Sequence, residues 1–516
     1  MRSAWWAVVL YLGIGCGGET AAPKVDEPIF VRGGLVGPDG FEPLPWTPGQ
    51  TLSWRSRDWT APKQAECISM YQVPLGDVSR LIAVGGGPPD TALAWSPDER
   101  LLAIGTFLGE VLVVDGQSGE VKARRRLGES LVKQVRWSAD GQVLYAAEQS
   151  PDAVVRAMRI DDLQDRWTLS LADRIGRSPP PAGEDLYAIY NLPAAYTLFV
   201  LPDGDLLVGA AHGWTDSEQV RQNRSQILRL SPEGEVRAVW PEQAADAVML
   251  HSQLDGDVLA VPISRSAAGP PPTDLPIGGV QLLKLVGGAS PALLPKASVT
   301  LPPLSPWFKE VFIWENLDVS STHDAFLMGL GDGRVGLFRL DGQPRALLSP
   351  GVPILAGAVP IASGANFGQI IGDEAIFLTT STTIPWGAAS PELRPSAAHP
   401  AEHTLRVVDL DGELRWTWHG AQALSGLAVD RGGQTLVVGA GPRDTDRRRD
   451  LYGALVFDLG GAARSGEERL SAWCPTENPV FFRQAVASDG RIGVVEYPYA
   501  REGGQVEGAW RVTVFR

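Results

Sequence analysis

Residues 93–103, Leu-Ala-Trp-Ser-Pro-Asp-Glu-Arg-Leu-Leu-Ala, return in altered form at residues 135–145 as Val-Arg-Trp-Ser-Ala-Asp-Gly-Gln-Val-Leu-Tyr. Trp95 and Trp137 stand 42 positions apart. Each copy places a short apolar stretch, an Asp-Gly-type turn and a second apolar stretch in a row. Asp-Gly and its relatives supply the positive-φ residues that tight hairpins need. Alternation and β-branched residues on either side predict strands. In the first unit these read TALAWS, LLAIGT, EVLVVD and VKARRRL.

The same frame recurs, stretched, around Asp203-Gly204, Asp255-Gly256, His323-Asp324, Gly372-Asp373, Asp430 and Asp489-Gly490, which makes eight units in all. A period of about 40–45 residues with several strands per period is the signature of propeller blades. The expectation is an all-β chain, a β-propeller of four-stranded blades, eight in number with seven as the alternative. The eighth unit ends after its third strand, so the ring is expected to be closed by an N-terminal strand. Residues 78–84, VSRLIAV, are the expected source, and their pairing would remove a free sheet edge. Cys67 lies just before that segment and Cys474 at the junction of units seven and eight. Ring closure brings them into one neighbourhood, and a Cys67–Cys474 disulfide is expected.

Composition agrees with this reading. Hydrophobic residues make up 44% and charged residues 20%, with Gly 58, Pro 41 and Trp 17, which suits short strands joined by tight turns. The net charge of −15 argues against a nucleic-acid partner, because a polyanion favours Lys/Arg surfaces. Two local basic runs, Arg124-Arg125-Arg126 and Arg447-Arg448-Arg449, read as solvated faces.

Two stretches resemble known repeat families. Trp95-Ser96-Pro97-Asp98 with Val113-Val114-Asp115 resembles the WD-type and YVTN-type repeats. Val407-Val408-Asp409-Leu410-Asp411-Gly412-Glu413-Leu414-Arg415-Trp416 resembles the quinoprotein-type repeat, in which a Trp docks neighbouring blades. These resemblances imply an architecture rather than a chemistry.

The N-terminus carries an address. Arg2 is the lone charge before Cys16, and the apolar run from Ala4 to Ile14 falls short of the ~20 residues a membrane span takes, so it reads as a secretory signal. Leu12-Gly13-Ile14-Gly15-Cys16 resembles the lipobox of a bacterial lipoprotein signal, with its aliphatic residue one place early. The resemblance implies lipid attachment at Cys16, and Gly17 in place of an Asp fits outer-membrane delivery; simple cleavage of the signal is the alternative. The expected division is 1–15 lipoprotein-type signal peptide, 16–66 tether and N-terminal extension, and 67–516 propeller. The expected location is the cell envelope, outer-membrane-anchored and facing periplasm or surface, with membrane contact only through the lipid.

In such blades the first-to-second and third-to-fourth turns share one face, and here they are short: PDG, ADG, SPEG, DLDG. The second-to-third loops share the other face with the inter-blade connections, and many are long: 215–224, 264–277, 382–402, 442–450 and 501–508, with connections 172–192 and 301–307. Expanded loops on a rigid scaffold are where binding concentrates. Trp214, Arg221, Asp274, Trp386, His399, Arg443, Asp446 and Arg448 are therefore the candidate binding residues, for another protein or an extracellular ligand.

No residue is assigned a catalytic role, and neither metal nor cofactor is expected. His399-Pro400-Ala401-Glu402-His403 spells the HxxEH pattern of inverzincin metalloproteases but lacks the helix that would aim both His side chains at one ion. No Gly-x-Ser-x-Gly elbow occurs. Asp203-Gly204-Asp205 and Asp255-Gly256-Asp257 fit hairpin turns better than calcium loops. The function expected is a non-catalytic cell-envelope scaffold. The alternative is a propeller enzyme (lactonase-, glycan-active- or quinoprotein-like) whose acid, base or metal groups converge at the central channel. By analogy of address and blade count, an outer-membrane-assembly partner is a third reading.

Overall fold

The computed structural model describes residues 43–44, 65–83, 89–128, 130–178, 186–215, 220–265, 275–288, 290–301, 316–351, 354–356, 359–383, 401–420, 423–441, 452–460, 465–501 and 504–516. These form eight four-stranded antiparallel units in chain order. Their first strands are Thr91–Trp95, Leu131–Trp137, Ala194–Val200, Gln253–Asp255, Leu317–Ser320, Val359–Ile371, Ala423–Val429 and Val480–Val486, blades 1 to 8 respectively. First strands pack near those of the next blade, Val480–Val486 returns to lie against Thr91–Trp95, and between blades 3 and 4 the Ser252 amide donates to Thr197 Oγ1 (3.0 Å). The strands on the inside of the ring are thus the first of each blade.

The apolar interior is partitioned rather than central. Eight buried clusters fill the eight seams between neighbouring blades. Ala103, Val111 and Val113 of blade 1 meet Val135, Trp137 and Leu144 of blade 2. Leu102, Ile104 and Leu112 on the opposite face of blade 1 meet Val495, Val512 and Trp510 of blade 8. A central strand with both faces buried reads as a continuous apolar run, as EVLVVD does. Tryptophans pin the seams: Trp137 Nε1 donates to the Ala94 carbonyl (2.9 Å), and Trp510 Nε1 to Thr91 Oγ1 (3.1 Å).

The Ser-x-Asp signature explains its own recurrence. Ser96 Oγ donates to Asp98 (2.7 Å) and accepts from the Leu101 amide (3.0 Å). Ser138 does the same with Asp140 (2.6 Å) and Val143 (2.9 Å). The position after Asp is left-handed in both turns, Gly141 at φ 69° and Glu99 at φ 56°. A glutamate tolerates that geometry because its carboxylate reaches blade 8, accepting from the Ser488 amide (3.0 Å) and hydroxyl (2.6 Å).

Closure uses a strand earlier than expected. Ser69–Gly76 forms the outer strand of blade 8, antiparallel to Trp510–Phe515 with Tyr71 opposite Val514 and Val73 opposite Val512. Residues 78–84 do not supply it, since Ser79–Ala83 is one helical turn. Val78, Leu81 and Ile82 are its buried side chains, a three-to-four-residue spacing that is helical rather than alternating. Asp77 caps the turn by accepting from the Ser79 amide (2.8 Å). Just upstream, Ala65–Glu66 pairs in parallel with the outer strand of blade 7, and Pro43–Leu44 with Ile354–Ala356 beside blade 6. Cys67 and Cys474 form a disulfide between these attachments, their Cα atoms 4.7 Å apart.

Candidate functional site

The second-to-third hairpin of blade 3 rises well above the ring. Leu206–Thr215 and Arg221–Leu230 pair along their whole length, to Thr215 opposite Arg221 at the tip. Within the expected loop at 215–224, Thr215 and residues 221–224 are strand, because their alternating residues find cross-strand partners. Trp214 is carried near the tip, its ring 4.6 Å from that of His212, with the exposed Arg224 guanidinium 5.6 Å over its face. Arg221 pairs with Thr215 at the end of the ladder, one position beyond Trp214. Residues 501–508 likewise hold a short hairpin, Tyr499–Ala500 with Val506–Glu507. Cys16, Asp274, Trp386, His399, Arg443, Asp446 and Arg448 lie outside the described residues.

His212 has a second role that sequence reasoning missed. Its Nδ1 lies 3.1 Å from the Ile175 carbonyl, which can only accept, so Nδ1 carries the proton of the neutral ring. Nε2 is left to accept from Ser178 Oγ at 2.8 Å. A hydroxyl bonded to a base whose tautomer is fixed is the start of a nucleophile arrangement. The partners are 34 positions apart, with no elbow motif to reveal them. His403, from the HxxEH stretch, is instead buried against Glu402 and accepts from the Leu424 amide (3.4 Å). No group of three or more His, Cys, Asp or Glu residues suited to a metal is found among the described residues.

The central channel is lined by half-buried positions of the first strands, and here the ladder slips repeatedly. Register shifts fall at Lys133 in blade 2, Tyr196 in blade 3, Gly364 and Asn366 in blade 6, Gly426 in blade 7, and Phe481–Arg483 in blade 8. A bulge leaves one residue unpaired and re-aims its side chain. Lys133 pairs with Asp90, and its ammonium sits 5.0 Å from the Tyr196 ring and 5.8 Å from that of Tyr190. Tyr196 meets His251 edge-on at 5.9 Å. Burial raises the Asp90 carboxyl, but Lys133, Arg483 and His251 outweigh it and hold it below its ordinary value. Those groups belong to blades 2, 8 and 4, so the field at Asp90 is summed across the channel. Burial, reinforced by Arg483, pulls Arg136 down to about 10.

The opposite end has acidic chemistry. Under the first-to-second turns of blades 4, 5 and 6 lies a cavity of about 310 Å³ lined by Asp255, Asp318, Ser320, His323 and Ile370. Asp255 accepts from the Ser321 amide (2.6 Å) and hydroxyl (2.7 Å), and Asp318 from the Ile370 amide (2.7 Å). Burial pushes the Asp318 carboxyl up to about 7, against its two backbone hydrogen bonds and with help from Asp255. The folded protein therefore keeps a proton that the unfolded chain releases near pH 4. This contribution to stability is complete below about pH 4 and is lost as pH rises through about 7. Asp318→Asn, which keeps the acceptor for Ile370, is expected to flatten the fall in melting temperature between about pH 4 and pH 7.5. It should gain roughly 1–2 kcal/mol over wild type at the alkaline end. Melting curves across that range check it; parallel curves for the two proteins would refute it.

Comparison with known proteins bears on the fold. No family model matches the sequence, and no curated protein matches it. Among solved structures the chain is similar to the C-terminal WD40 domain of Sif2, with 13% identity over 88% of this chain and 99% of that one, at a TM-score of 0.50. The fold is a β-propeller. Matches of lower TM-score include the computationally designed Ika8 protein (12% identity, 88% of this chain and 99% of that one, TM-score 0.47). BamB from Moraxella catarrhalis is another (12% identity, 75% and 96%, TM-score 0.38).

Proposed function

We propose that this chain is a non-catalytic cell-envelope scaffold that captures another protein or an extracellular ligand on its long-loop face. On this reading it is exported, anchored in the outer membrane by lipid on Cys16, and touches the bilayer only there. The observation that carries the proposal is the blade 3 hairpin, which holds Trp214 above the ring with Arg224 on its face. Trp and Arg are the side chains most often found at binding hot spots. The Cys67–Cys474 bond supports an oxidising compartment, where structural disulfides persist.

The test is capture of envelope proteins by the purified chain. Trp214→Ala combined with Arg224→Ala should weaken capture by about tenfold or more, the loss expected from truncating a hot spot. Undiminished capture would sink the loop-face assignment, and absence of a fatty-acid label at Cys16 would sink the anchor. A second reading, a propeller enzyme, draws on the Ser178–His212 pair. A fluorophosphonate that modifies Ser178 in the wild type, and nothing in Ser178→Ala, is the result that would favour it.

A further inference from the structure

We propose that the seam between blades 5 and 6 holds a small anion, of the size of chloride or formate, on one edge of the Arg406 guanidinium. The site is separate from the hairpin rim, and its test does not depend on what the rim captures.

Arg406 lies in the third strand of blade 6, Thr404–Asp409, opposite Phe377 on one side and Thr417 on the other. Val408, two positions on and therefore on the same face, packs with Leu327 and Leu337 of blade 5. The Arg406 side chain accordingly enters that seam, where it is fully buried. Its Nη1 donates to Thr379 Oγ1 (3.3 Å), a neutral group that gives its own proton to the Ala401 carbonyl. Nε and Nη2 have no hydrogen-bond partner among the described residues. These two nitrogens form one edge of the guanidinium, and their parallel N–H groups match a carboxylate or another small anion. Burial pulls Arg406 down to about 9, so the group is still charged at neutral pH. A charge taken out of water needs a counter-charge.

The other buried arginines show how this fold uses that edge. Arg229, Arg334 and Arg491 are all less than 5% exposed. Each sets Nε on an aspartate: Arg229 on Asp205 (2.7 Å), Arg334 on Asp332 (3.0 Å) and Arg491 on Asp489 (2.8 Å). Arg334 adds Nη2 to the same carboxylate (2.6 Å). For Arg334 and Arg491 the acid stands two positions earlier in an Asp-Gly-Arg turn. Around Arg406 the strand reads Thr-Leu-Arg-Val-Val, with no carboxylate within two positions. An anion from solution would occupy the place the three aspartates take elsewhere, and full burial limits it to a small one. Blade 6 holds a further buried donor: the Ser363 hydroxyl has no partner among the described residues, and Ser363 stands two positions from Ala365, which lies opposite Thr379.

The experiment is thermal melting of the purified full chain at fixed ionic strength, with sodium chloride or sodium formate replacing sodium gluconate, whose anion is too large for a closed seam. Chloride, formate or both should raise the melting temperature saturably, by about 2 °C or more, as a ligand bound only by the folded state does. Arg406→Met should abolish that shift and, in gluconate, melt at or above wild type, because an uncompensated buried charge is removed. Ser363→Ala should need about threefold more anion for half the shift, the loss expected for one hydrogen bond. Trp214→Ala on the rim should respond as wild type. A response to chloride alone assigns a halide, and a response to formate alone assigns a one-carbon carboxylate. Should Arg406→Met fail to fold, wild-type crystals soaked in bromide or in formate decide, with the ion expected against Nε and Nη2. Equal melting in all three salts, a shift that survives in Arg406→Met, or neither ion at Arg406 overturns the proposal.

Discussion

Replacing Cys67 and Cys474 together with serine is expected to lower the unfolding free energy by about 4–5 kcal/mol. The bond joins positions 407 residues apart, so it encloses nearly the whole ring. In the chain-entropy account, the restriction a cross-link places on the unfolded state grows logarithmically with loop length. The bond also sits where the ring is held by few residues. The Cys67 amide donates to the Trp473 carbonyl (2.9 Å), and Ile68 exchanges two 2.9 Å backbone bonds with Arg516. Beyond that, Ser69–Gly76 alone covers the edge of blade 8. Urea unfolding with and without reductant measures the effect. Reductant should move the wild-type midpoint to that of the double variant and leave the variant unmoved. Hydrogen exchange should rise first in Ser69–Gly76, the strand the bond tethers. Coincident midpoints in all four samples would show that closure rests on the strand ladder alone.

What could be read in advance follows from which interactions are local. Ser96-Pro97-Asp98 and Ser138-Ala139-Asp140 announce their turns because the hydroxyl, the carboxylate and the amides they satisfy lie within five residues. Eight such frames, each followed by apolar runs, make a ring of blades legible. The Cys67–Cys474 pairing was legible for a topological reason, since a ring brings the two ends of the chain together. The closing strand was not. Apolar residues 78–84 outscore Ser69–Gly76 as a strand by composition, and only the spacing of Val78, Leu81 and Ile82 marks them as a helical turn. The channel was less legible still. A bulge is a mismatch between two strands, and nothing within LVKQVRW or AAYTLFV states that Lys133 and Tyr196 fall out of register. Ser178 and His212 meet only because a connection folds over a hairpin from elsewhere in the chain.

Asp205→Ala is expected to cost about 3–5 kcal/mol, because it strands a buried guanidinium. Asp203-Gly204-Asp205 reads as turn chemistry, and the turn forms, with Gly204 at φ 87°. Asp205, however, points inward and is fully buried. It accepts from Arg229 Nε (2.7 Å) and from Arg237 Nη1 (2.5 Å). Arg229, itself 3% exposed, also binds Asp203 (2.5 Å) and reaches across the seam to the Val286 carbonyl of blade 4 (2.6 Å). The carboxylate therefore positions the side chain that laces blade 3 to blade 4. Without it, Arg229 keeps its charge in a site closed to water and retains, beside the neutral Val286 carbonyl, a single carboxylate, Asp203, which is half exposed. Removing one partner of a buried pair is far more damaging than replacing both. The double change Asp205→Leu with Arg229→Met should accordingly recover about half or more of the loss, a coupling that a double-mutant cycle reads directly. Asp205→Asn keeps an acceptor without the charge and should fall between wild type and Asp205→Ala. If Asp205→Ala and the double variant unfold at the same urea concentration, the pair is not what holds this seam. The apolar contacts of Leu207, Ile227, Met249 and Leu259 would then carry it unaided.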